Sequence, residues 1–199
     1  METGNFSSVM VGWAAIITGS SAILAVIFLA LMYTVKRSLG YINDIFNSLI
    51  GISSAILAFL LYVEFQSGSA SLSQIALGLV VVGAIFTIVG TVLSVARITD
   101  FVMAGWYTGI GNALLGLWLV NYCYSMLGSD VLPQSLPVFG LVVGAFMALG
   151  LIGILGIITK VDKLESMPKY LYVAFFCYMG TYLLYPIWTI QVGRYFLLK

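Results

Sequence analysis

The sequence predicts an all-α protein: a polytopic transmembrane bundle of six helices with minimal loops, forming one domain over residues 1–199. Three observations predict it. The chain is 62% hydrophobic and 8% charged, whereas a soluble domain carries roughly 25% charged residues, so most side chains do not face water. Six apolar windows each supply the roughly 20 residues that a spanning helix needs. These windows are continuous rather than alternating, which excludes the dyad pattern of a membrane barrel. Backbone groups in hydrocarbon must be paired internally, and helices then remain as the way to pair them.

The first window runs from Val9 to Val35. Glu2 is the only charge before it, and Lys36-Arg37 closes it. It is too long for the apolar core of a secretory signal and lacks a basic lead, so it reads as a retained span. A short break around Gly40 leads to the second window, Ile42–Tyr62. The Ser- and Gly-rich stretch 63–74 separates that from the third, Ile75–Ala96, and a tight turn over 97–100 brings the fourth, Phe101–Leu127. A connection holding Pro133 precedes the fifth, Leu136–Thr159. The charged stretch 160–169 precedes the sixth, Tyr170–Val192. Pro168 suits the first turn of that last helix, where no N–H is needed. Pro186 falls inside it and should bend it or end it early, making it a candidate hinge.

The cations are distributed unevenly. Lys36, Arg37, Arg97, Lys160, Lys163 and Lys169 occupy the first, third and fifth connections, while the second and fourth have no Lys or Arg. Basic loops stay cytoplasmic, so both termini are expected on the non-cytoplasmic side, in a multi-pass membrane protein whose first partner is the lipid bilayer. Tyr33, Tyr41, Tyr170 and Tyr172 gather toward the basic end. Trp13, Tyr62, Trp118, Tyr122, Tyr124, Tyr185 and Trp188 lie toward the other, as two interfacial belts would require. The net charge of +1 gives no footing for nucleic acid.

Catalytic and cofactor machinery is missing. The chain has no histidine, hence no imidazole ligand or proton shuttle. Cys123 and Cys177 form no CxxC pair, and no carboxylate cluster, P-loop, GxGxxG or GxSxG motif occurs. No cofactor or metal and no enzymatic activity are expected. Asp44 and Asp100, near the starts of the second and fourth spans, read as helix caps, with Arg97 placed to pair with Asp100. A weaker reading makes the two carboxylates a catalytic pair at the cytoplasmic surface.

Two features remain. Small residues recur at helical spacing: Gly105, Gly109 and Gly116 on the fourth span, Gly140 and Gly144 on the fifth. Such stripes serve packing within the bundle or the docking of a partner. Asn112 is the deepest amide, while Asp44 and Asn47 share one helix face and could form a small polar pocket. Two functions fit. The first is an accessory, assembly or regulatory subunit, with a second membrane protein or another copy as partner. The second is a small transporter or channel for a neutral or amphiphilic solute or lipid. They separate on whether Asn112 faces a cavity or a packed neighbour. A shift of sixty residues also aligns Arg37, Gly51 and Tyr62 with Arg97, Gly111 and Tyr122.

Overall fold

The computed structural model describes residues 3–64, 70–160 and 168–199; the centre of the Ser/Gly-rich connection and Lys163 lie outside them. Six helical rods cross the molecule: α1 (Thr3–Thr34), α2 (Gly40–Glu64), α3 (Ala70–Val95), α4 (Phe101–Met126), α5 (Ser135–Ile158) and α6 (Lys169–Leu198). Two rods change character along their length. A 3-10 turn at Leu149–Gly153 interrupts α5, and a π turn at Gly180–Leu184 interrupts α6.

Each rod packs on its sequence neighbours, and the second half of α6, Tyr185–Leu198, returns to α1. The two terminal rods run antiparallel: a Cβ on Gly12 would stand 2.7 Å from Leu197 Cγ, and one on Gly19 2.7 Å from Ile190 Cγ1. Both therefore meet at one end, here the terminal end. The opposite, basic end carries Arg37, Arg97 and Lys160. Arg97 and Lys160 close α3 and α5 with φ of 55° and 50°, a left-handed helix stop in which the Ile98 N–H reaches back to Leu93 O at 3.0 Å.

Five rods are long and apolar enough to cross a bilayer; α4 is the exception. At 26 residues α4 is long enough, but its Gly, Asn, Trp and Tyr residues dilute its apolar content. All six expected helices are present. The physical reason for the dilution is position: α4 touches α2, α3, α5 and α6, and a helix shielded from lipid by neighbours has little need of an apolar surface. Trp13, Ile17, Ile56, Phe59, Ile85 and Val142 point outward from the other rods, each at least half exposed, as a hydrocarbon solvent permits.

Packing differs between the two ends. Toward the terminal end, Trp188 is fully buried, stacked on Tyr185 at 6.2 Å and edge-on to Trp118 at 6.4 Å. Its Nε1 donates to Leu136 O at 3.0 Å, and Ser54 Oγ bonds Tyr185 OH at 2.9 Å. Leu57, Leu61, Leu119 and Val192 fill the space around these rings, all at 0–1% exposure. This half is densely packed, with a small recess of about 30 Å³ beside Tyr62 and Tyr122. The half toward the basic end is not.

Candidate functional site

A cavity of about 230 Å³ opens in that second half. Its origin lies in α6. Pro186 has no N–H to give Tyr182 O, and its ring crowds that carbonyl; the wide π turn at Gly180–Leu184 falls where the helix adapts. α6 packs on α1 through Tyr185–Leu198 and the π turn but parts from it along Lys169–Met179. The rod neither ends nor frays at Pro186, since α-helix continues to Leu198. The gap left between α1 and α6 is the cavity, with Leu29 and Tyr33 on one lip and Phe175 and Met179 on the other. Tyr33 and Phe175 are 74% and 52% exposed, so the cavity opens at the surface between them.

Asn112, Asn47, Asp44, Gly105 and Gly109 all line this one cavity. Asn112 lies eleven residues into α4, about 16 Å along the helix, near the middle of a hydrocarbon core of about 30 Å. It is 1% exposed, and its Oδ1 has no hydrogen-bond partner. Two further residues of the wall, Trp106 and Tyr178, also carry unpartnered buried atoms, Nε1 and OH. Gly105 leaves the cavity open: a Cβ there would meet nothing within 4 Å. Gly109 gives room instead to the ring of Tyr178, which also leans on Gly150 and Gly153 of α5.

A hydrogen-bonded seam joins α1, α2 and α6 below the lips. Asn43 Nδ2 donates to Ala25 O at 2.8 Å, Asn47 Nδ2 donates to Asn43 Oδ1 at 3.2 Å, and Tyr182 OH donates to Asn47 Oδ1 at 3.0 Å. Asp44 departs from the expected cap. α2 starts at Gly40, with no acidic residue in its first turn, so the carboxylate is beyond reach of the free N–H groups. It is 5% exposed, and its Oδ2 instead accepts from Ser94 Oγ on α3. Asp100 does cap α4, through Oδ1 and the Met103 N–H at 2.7 Å. Arg97 does not pair with it. The left-handed turn sends the guanidinium over the ring of Tyr41, 5.8 Å from its centroid, with Nε donating to Tyr41 OH at 3.2 Å.

The remaining glycines lie inside the bundle. Gly116 and Gly144 oppose each other, a Cβ on Gly144 falling 2.8 Å from Gly116 O, and Gly140 backs onto Cys123 and Trp188. A second, larger recess of about 580 Å³ at the basic end is lined by Arg37, Arg97 and Asp100 and shares Tyr33, Phe101 and Val102 with the first. Sequence reasoning missed Trp106, Tyr178 and Tyr182. Each is one aromatic among many, and their shared cavity depends on how far α6 departs from α1.

Comparison with protein-family models, curated proteins and solved structures gave no match to this chain.

Proposed function

We propose that this chain is an integral membrane carrier for a small amphiphilic molecule, which enters sideways from the bilayer between α1 and α6. The observation that supports this reading best is Asn112, buried near mid-depth in a cavity wall with an acceptor that nothing in the protein satisfies. Leaving such an atom unpaired costs about 1–3 kcal/mol, a cost that a ligand or water in the adjoining space would offset. π turns inside α-helices frequently lie at functional sites, and that of α6 borders this cavity through Tyr182. Trp188 and Tyr185 are buried and stacked toward the terminal end, which favours a carrier over an open channel. No catalytic role is assigned, and the bias of Lys and Arg toward the basic end supports a cytoplasmic position for that end.

Binding of the neutral fluorophore N-phenyl-1-naphthylamine tests the proposal, read by energy transfer from the protein's tryptophans. Saturable binding by the wild type that Gly105→Phe abolishes, with an unchanged melting curve, supports it. Equal binding by both proteins refutes it. A stoichiometric protein partner co-purifying with a chain that binds no small molecule would point to the accessory-subunit alternative.

A further inference from the structure

The cavity has a charge. Asp44 lines it, buried, with Oδ2 accepting from Ser94 Oγ. Among the described residues no Lys or Arg lines this cavity or pairs with that carboxylate. Arg37 and Arg97 line the adjoining recess at the basic end, where Arg97 is held by Tyr41. A carboxylate removed from water requires a countercharge or a proton, and the described residues supply no countercharge.

The rest of the wall favours one kind of countercharge. Tyr33, Phe101, Trp106, Phe175, Tyr178 and Tyr182 place six aromatic rings around the space. Ring faces are negative and attract cations, more strongly where water is excluded. An anion here would meet a carboxylate and the negative faces of rings. A bare metal ion would lack ligands, since calcium takes six to eight oxygens and magnesium a full octahedron, and no cluster of metal-binding side chains occurs among the described residues. What fits is a positive nitrogen carried on an apolar body.

We propose that the molecule taken up by this cavity is a lipophilic organic cation, a quaternary or protonated amine whose charge faces Asp44 and whose apolar part lies among the rings. The inference rests on the carrier reading above and names its ligand class. Entry from the side between α1 and α6 lets such a molecule bypass the basic recess.

The test is displacement of N-phenyl-1-naphthylamine from purified protein by benzyltrimethylammonium and, separately, by the similarly sized anion benzylsulfonate. Wild type should be displaced at least about tenfold more readily by the cation. Asp44→Asn should lose most of that preference, read as the ratio of the two displacement constants within the variant and so independent of any change in its affinity for the neutral probe. Equal displacement by the two ions, or an Asp44→Asn protein that keeps the full preference, overturns the cation inference and leaves the carrier reading in place. Failure of the neutral probe to bind wild type overturns both. Should Asp44→Asn not fold, the cation-against-anion comparison in wild type decides alone.

Discussion

The phenol of Tyr182, in the π turn of α6, donates to Oδ1 of Asn47 on α2 at 3.0 Å, so the irregular part of α6 is tied to a second helix that packs on α1. Tyr182→Phe removes the donor and leaves a buried amide oxygen unpaired. Hydrogen bonds between membrane helices average about 0.6 kcal/mol and reach about 1.7. A loss of about 1 kcal/mol in unfolding free energy is expected, measured by denaturation in mixed micelles. A change under about 0.2 kcal/mol would show that the tie carries no stability.

Replacing Asn112 should separate stability from function. Asn112→Leu removes the unpartnered acceptor and fills the same site with a side chain of similar size, so the ligand-free protein should gain about 1–2 kcal/mol. The same variant should lose the thermal stabilisation that a bound ligand gives wild type. A variant both less stable and fully competent to bind would contradict the role given to this residue.

Two glycines on the lists of small residues should answer the same substitution differently. At Gly144 an added methyl group meets backbone, Gly116 O at 2.8 Å and Val120 N at 2.9 Å, and backbone cannot swing aside. Gly144→Ala should cost about 1–3 kcal/mol through forced separation of α4 and α5. Gly105→Ala meets nothing and should leave the melting temperature unchanged while reducing affinity for bulky ligands. Paired melting curves and binding isotherms check both halves.

Pro186 sets the width of the lateral opening. With Pro186→Ala the missing N–H returns, the π turn loses its cause, and the first half of α6 should settle toward α1. Spin labels at Leu29 and Phe175, with Cys123 and Cys177 changed to alanine, should report a shorter distance in the variant. An unchanged distance would assign the opening to α5 and its 3-10 turn instead.

Helix boundaries were legible because long apolar windows leave little freedom: Phe101–Leu127 in sequence became Phe101–Met126, and Ile42–Tyr62 became Gly40–Glu64. The site was legible in part. Asn112, Asn47 and Asp44 stand out because polar groups are scarce in such a chain. Their meeting in one cavity depends on the α1–α6 gap, a tertiary fact without a local signal. Asp44 was misread as a cap because four residues decide whether a carboxylate can reach the free N–H groups, and that distance depends on where α2 starts. The sixty-residue correspondence acquires a geometry. Gly51 and Gly111 both pack on Thr87 of α3, Arg37 and Arg97 line one recess, and Tyr62 and Tyr122 line another. α2 and α4 thus flank α3 with equivalent positions.

The position of α4 also bears on how the molecule is made. Fifteen of its residues are buried, and its moderate hydropathy follows from that shelter, but the shelter does not exist when the nascent helix first meets the translocation channel. Asn112 and the ring-rich turns around it make α4 the span least able to partition into lipid alone. α3 precedes it by a turn of a few residues and is its most extensive packing partner, so the two are suited to enter as a hairpin. The helix that organises the finished bundle thus depends, during synthesis, on the one made just before it.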